Sequence, residues 1–197
     1  MTVTLVVMKT TLLIWLVLSA IFLCAHAQEH AAAAAEAGAL PDQSPITLGS
    51  RGLYVFLRSN VLKAAQKMPE ENYSFQPTPE IRTFARLVGH VADAQYLFCS
   101  LAAGEKNPDT ASIEKTKSTK AELVAALEES YAYCDKTYNA MNDVSGRELV
   151  KFQGRDVPKL VILNLNTAHL DEHYGNIVTY MRLKGLVPPS SEPPARK

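Results

Sequence analysis

The sequence predicts an all-α fold, a four-helix bundle. Three observations predict it. Apolar residues recur three and four apart in four long stretches, each stretch opens on a helix-capping or helix-starting residue, and no stretch shows convincing strand alternation. The chain has 197 residues, enough for one domain and too few for two comfortable ones. Apolar residues make up 47% and charged residues 20%, the composition of an ordinary globular protein.

Before the first helix comes a segment that does not belong to the fold. Thr10 to Cys24 is a nearly continuous apolar run behind Lys9, and it ends in Ala25-His26-Ala27, a small-x-small cleavage pattern. Residues 1–27 are therefore expected to be a secretory signal peptide, with Met8 a more usual start than Met1. The run is shorter than the ~20 residues of a spanning helix, so no membrane span is expected after cleavage. Acylation as a lipoprotein would fall on Cys24, but Leu23 before it is bulkier than such signals carry, and a periplasmic or secreted protein is the preferred reading. Residues 28–43 are Ala-rich with no apolar face and read as a flexible leader.

The first helix is expected from about Ser44 to Lys67, with Ser44 as cap, Pro45 in the first turn and Leu53, Phe56, Leu57, Val61 and Leu62 facing inward. Met68-Pro69 ends it. The second is expected from about Pro79 to Ala103. Thr78 caps it, Glu80 suits its positive end, Ile81, Phe84, Val88, Val91 and Leu101 form its apolar side, and Gly104 stops it. The third runs from about Lys120 to Met141, opened by a Thr119-x-x-Glu122 capping box and carrying Leu123, Leu127, Tyr131, Cys134 and Tyr138. The fourth runs from about Pro158 to Lys184, with Leu160, Leu163, Ile177, Tyr180 and Met181 inward and Gly185 and Pro188 closing it. The domain is placed at 44–190, and 191–197 is a proline-rich tail. The link from Gly104 to Ser118, about 15 residues, can reach ~50 Å and predicts a crossover that leaves helices two and three parallel.

Lys+Arg and Asp+Glu both number 20, and no basic stripe is visible, which argues against a nucleic-acid partner. With the signal removed, Cys99 and Cys134 remain. An oxidising compartment permits a disulfide. Counting from Pro79 and Lys120, however, Cys99 lies ~30 Å along its helix and Cys134 ~21 Å along its own. Buried free thiols are therefore expected in preference to a bridge, and the crossover is the arrangement that would allow one.

His169 and His173 stand four apart on one face of the fourth helix, where both rings can reach one metal ion. Spacing alone is weak evidence, since His26 and His30 share it across the cleavage site. His90 strengthens the pair. It lies ~15 Å along helix two against ~17 to ~23 Å for His169 and His173 along helix four, so antiparallel helices bring the three to one depth. The residues alone leave two readings open, a three-histidine metal site or three histidines each satisfied by its own hydrogen bond.

The segments TPEIRTFARLVGHVADAQYLFCSLAAGEKNP and HLDEHYGNIVTYMRLKGLVPPSS together resemble the DinB-like superfamily of metalloenzymes, over about Ser44 to Ser190. The H-x-x-x-H-Y-G followed by Tyr-Met-Arg-Leu and Gly-Leu-Val-Pro-Pro carries most of that likeness. The resemblance implies an up-down-down-up bundle and one divalent metal ion held by His90, His169 and His173. Many relatives have Gln where Asn176 stands, a conservative departure. Three neutral imidazoles leave a position open, as catalytic sites do, and suit Zn, Ni, Fe or Mn alike.

The preferred reading is an exported metal-dependent hydrolase acting on a small-molecule substrate through activated water. The resemblance also implies a metal-dependent thiol S-transferase, although the thiols of such members are cytosolic while this chain carries an export signal. A non-catalytic metal-binding envelope protein is the third reading. Asp93 and Asn176 are the candidate residues beside the metal ligands; Asp93, one turn from His90, either orients a ring or acts as a base, or is simply a carboxylate at a polar margin, and both readings stay open. Asp171 and Glu172 are expected in solvent, Tyr96, Tyr174 and Tyr180 in packing with hydroxyls at the rim, and Arg182 at the helix dipole. Cys99 is too far along its helix to be a ligand. Relatives often pair as homodimers, but no exposed apolar stripe here demands it.

Overall fold

The computed structural model describes residues 44–109 and 111–193. The expected signal peptide (1–27), the leader (28–43) and the last residues of the tail lie outside the described residues. The described chain is mostly helical. It comprises α1 (Pro45–Lys67), α2 (Phe84–Ala103), α3 (Ile113–Thr116), α4 (Lys120–Ala140), a hairpin of β1 (Leu149–Phe152) and β2 (Arg155–Pro158), and α5 (Lys159–Leu183). The four long helices pack on one another around a single apolar core.

Pro45 occupies the first position of α1, and the Asp143 carboxylate accepts from the backbone N–H groups of Ile46 (3.3 Å) and Thr47 (2.8 Å) there. The inward face of α1 differs from the one expected. Leu53 and Phe56 are 63% and 61% exposed, while Tyr54, Leu57, Val61, Ala64 and Ala65 are buried. Tyr54 decides the rotation, because its ring stacks on Tyr138 at 4.0 Å and meets Tyr131 edge-on at 6.4 Å.

Helix α2 begins at Phe84 rather than near Pro79. Thr83 is its cap, with the hydroxyl accepting from Arg86 N at 3.2 Å. The preceding residues form a turn instead. Gln76 Nε2 donates to the carbonyls of Pro79 and Ile81, Phe84 N donates to Phe75 O at 2.9 Å, and Ile81 is left exposed. The tertiary contact of Phe84 with Tyr73 and Tyr180 sets the start there, in place of the expected cap at Thr78.

The late start of α2 overturns the expectation of free thiols. Counted from Phe84, Cys99 lies ~22 Å along α2, level with Cys134 at ~21 Å along α4. The two form a disulfide with Cα atoms 5.3 Å apart. Neighbouring pairs follow the same order, Tyr96 against Tyr133 and Cys99 O accepting from Thr137 Oγ1. Between α2 and α5 the order reverses, from Tyr180 OH on Arg82 O to Asn166 Nδ2 on Gln95 Oε1.

Helix α4 opens with the Thr119/Glu122 capping box, and Leu123, Leu127, Tyr131, Cys134 and Tyr138 are all buried as expected. The hairpin is a correction to the all-helix expectation. Gln153 (φ 49°) and Gly154 (φ 78°) make a two-residue loop, and Phe152 pairs with Arg155 across it. Its second strand leads straight into α5, where Leu163, Ile177, Tyr180 and Met181 are buried. The link from 104 to 118 also contains a helical turn, α3, held against α2. Among the described residues no helix is long and apolar enough to cross a membrane.

Candidate metal centre

His90 comes from α2 and His169 and His173 from successive turns of α5. Nitrogen atoms of all three lie within 4.8 Å of one another. His169 Nε2 is 3.1 Å from His90 Nε2 and 2.9 Å from His173 Nε2. The rings meet at steep angles, 55° between His90 and His169 and 84° between His169 and His173, so they converge on a point rather than stack.

All three rings are held neutral. Burial pushes His169 down to about 4, helped by His173, and pushes His173 down to about 4, helped by His90. Burial also lowers His90, followed by the charge of Arg82. A neutral imidazole carries one proton. His169 Nε2 faces two nitrogens, and its Nδ1 is buried without a hydrogen-bond partner. One proton cannot serve both nitrogen contacts, whereas a cation among three lone pairs can. The donor set therefore fits a divalent transition metal, with Zn, Ni, Fe and Mn all compatible.

Around the rings, Asn176 lies with its amide nitrogen 3.4 Å from His173 Nδ1. Asp93 does not take the role the sequence suggested. Its carboxylate accepts from Ser112 Oγ (2.8 Å), Ile113 N (2.6 Å) and Glu114 N (3.2 Å), so it caps α3 rather than bonding a histidine. The carboxylate that reaches the site is Glu114, which sequence reasoning missed. Its Oε2 is 3.2 Å from His90 Nδ1, and its Oε1 accepts from Arg82 Nε (3.0 Å) and Arg86 Nη2 (2.9 Å). Burial alone would raise the Glu114 carboxyl, but the Arg82 bond and charge, with His90 and Arg86, hold it below the usual range. Its approach depends on Gly89, where a β-carbon would sit 2.7 Å from Glu114 Cα. That glycine beside His90 was the available signal, but nothing in the sequence names its neighbour.

Two cavities reach the cluster. One of about 500 Å³ opens at His173 and is lined by Arg82, Arg86, Leu87, Asn176 and Tyr180. Another of about 350 Å³ opens at His90 and His169, beside Asp93, Phe98 and Asp109. Glu172 is exposed on the wall of the first, and Asp171 is in solvent as expected. Tyr180 OH donates to Arg82 O at 2.5 Å, Tyr174 OH accepts from Ser190 N at 2.9 Å, Tyr96 packs on Tyr133, and Arg182 donates to Ser191 Oγ at 3.3 Å.

The DinB superfamily matches this sequence over residues 53–177. Among solved structures, a DinB-like protein from Bacillus cereus superposes with a TM-score of 0.63 at 18% identity, covering 72% of this chain and 94% of that one. A DinB-like protein from Bacillus subtilis gives 0.57 at 20% identity, covering 72% and 92%. A mycothiol-dependent maleylpyruvate isomerase gives 0.55 at 19% identity, covering 66% of this chain and 60% of that one. No curated protein matches the sequence significantly.

Proposed function

The chain belongs to the DinB superfamily, and from that premise we propose that it is an exported metal-dependent hydrolase acting on a small molecule. The observation that carries the reading is the convergence of three neutral imidazoles, with His169 Nε2 at 2.9 and 3.1 Å from its two neighbours. His90, His169 and His173 would hold a divalent transition metal, which when bound would supply Lewis-acid activation of water. The chain itself supplies the rest. Burial keeps the rings deprotonated and ready to ligate, and Asn176 lies beside the His173 ring. The cavity of about 500 Å³ at His173 is of a size for a small substrate. Arg82 and Arg86 on its wall are partly committed to Glu114.

The arrangement we propose is an up-down-down-up bundle, with residues 104–118 as the crossover. The parallel order of the α2–α4 pairs and the reversed order of the α2–α5 pairs support it. Export rests on the apolar run ending at Ala25-His26-Ala27. The Cys99–Cys134 disulfide supports the same compartment.

Thiol transfer is the second reading, favoured by the structural likeness to a mycothiol-dependent enzyme. One experiment separates the readings. Protein recovered from the exported fraction is analysed for metal and assayed on ester, amide and phosphoester panels with and without low-molecular-weight thiols. The hydrolase reading expects about one equivalent of metal, thiol-independent turnover and loss of both in His90→Ala. Turnover that requires a thiol overturns it in favour of transfer, and wild-type metal content in His90→Ala overturns the metal site.

A further inference from the structure

We infer that Glu114 is a positioning residue for the metal site: it fixes His90 as the Nδ1–H tautomer, so that Nε2 presents a lone pair toward His169 and His173. The inference rests on the metal-site reading above, and it assigns a residue on the crossover, far from the ligands in sequence, to their shell.

The chemistry follows from what each atom can do. Glu114 is paired as a carboxylate with two guanidinium groups, Arg82 Nε at 3.0 Å and Arg86 Nη2 at 2.9 Å, both on Oε1. A carboxylate only accepts hydrogen bonds. Two groups face His90 Nδ1, Glu114 Oε2 at 3.2 Å and the donor-only Arg82 Nη2 at 3.4 Å; the carboxylate is the nearer, and the Arg82 guanidinium is already bonded to Glu114 through Nε, so Nδ1 donates to Oε2. An imidazole that holds a single proton and donates it there leaves Nε2 bare. That bare nitrogen is the one 3.1 Å from His169 Nε2.

The molecule spends several features on holding this carboxylate in place. The Asp93 carboxylate receives Ser112 Oγ, Ile113 N and Glu114 N, which pins the start of α3 to α2 one turn beyond His90. Gly89 lets the α3 backbone come against α2, since any β-carbon would meet Glu114 Cα at 2.7 Å and Glu114 N at 2.9 Å. The arginines take Oε1 and leave Oε2 for the ring, so the carboxylate has one face for each. Asp93, which lies on the same helix as His90, thus acts on the site through Glu114.

The test reads the tautomer in metal-free protein and the metal affinity separately. Long-range proton–nitrogen correlation spectra of chelator-treated, ¹⁵N-labelled protein at pH 7.5 report which His90 nitrogen is protonated, the resonance being assigned by its loss in His90→Ala. Wild type and Glu114→Gln, whose amide oxygen can still accept, should show Nδ1–H. Glu114→Ala should shift His90 toward Nε2–H. Cobalt(II) titration against a competing chelator should show an affinity lower by about 10- to 100-fold in Glu114→Ala, largely restored in Glu114→Gln, with helical circular dichroism alike in all three. An Nε2–H His90 in wild type, or unchanged cobalt affinity in a folded Glu114→Ala, overturns the proposal. Wild-type protein that shows the Nδ1–H tautomer yet binds no cobalt upholds the tautomer assignment and overturns the metal reading instead.

Discussion

A β-carbon at position 89 would lie 2.7 Å from Glu114 Cα, 2.9 Å from Glu114 N and 3.3 Å from Ile113 C. These are backbone atoms, so the link that carries α3 would itself have to move. Gly89→Ala then sets two effects against each other. Within a helix alanine is favoured over glycine by about 1 kcal/mol, whereas overpacking of this kind costs about 1 to 3 kcal/mol. Because the neighbours are main chain pinned by Asp93, overpacking should win. Thermal melting of Gly89→Ala should show a loss of a few degrees, and a variant as stable as wild type would mean that α3 yields easily. Residues of this kind mark how far the sequence can be read. His90, His169 and His173 were legible because spacing and depth on long helices are regular. Glu114 was not, because its position depends on where an irregular link lies against α2.

The elements that sequence patterns describe well are those whose signals are local. The capping box at Thr119 and Glu122 and the glycine-closed ends of α2 and α5 are satisfied within a few residues. Those read imperfectly were decided elsewhere. Thr78-Pro79-Glu80 is a sound helix start locally, but Phe84 packs on Tyr73 and Tyr180, and Thr83 caps instead. The hairpin had a signal in Gln153-Gly154, overlooked beside stronger helical periodicity. The start of α2 mattered most, since it aligned Cys99 with Cys134. Their bridge closes a loop with a sequence separation of 35, and chain-entropy arguments give such a link about 3 to 4 kcal/mol. Denaturant titration of the Cys99→Ser/Cys134→Ser double variant should show a loss of that order. Thiol titration of the denatured, unreduced protein should find neither cysteine free, and two reactive thiols there would remove the bridge.

For the whole molecule the decisive question is whether a metal bound at the three histidines would make the fold or use it. A domain of about 150 residues buries about 70% of its unfolded surface. The four long helices close on an apolar core that runs from Tyr54 to Met181, so the metal-free protein should be folded, unlike a zinc finger. Acid then acts through the histidines. His169 and His173 sit at about 4 in the folded protein because burial disfavours their charge, against about 6.5 when unfolded. Between those values the unfolded chain binds more protons than the folded one. Stability of the metal-free protein is therefore full above about pH 6.5 and declines as pH falls toward 4. At about 2 to 4 °C per kcal/mol for a chain of this size, a drop on the order of 10 °C between pH 7.5 and 5 is expected. The metal's own contribution follows a different course. Ordinary imidazoles would lose a metal to protons below about pH 6, but His169 and His173, still neutral at pH 5, keep their lone pairs. The rise in melting temperature on adding zinc to chelator-treated protein should thus persist at pH 5.5 and collapse near pH 4. Loss of that rise already at pH 5.5 would show that the rings titrate as exposed histidines do, and loss of all helical signal on chelation at pH 7.5 would make the metal a structural requirement.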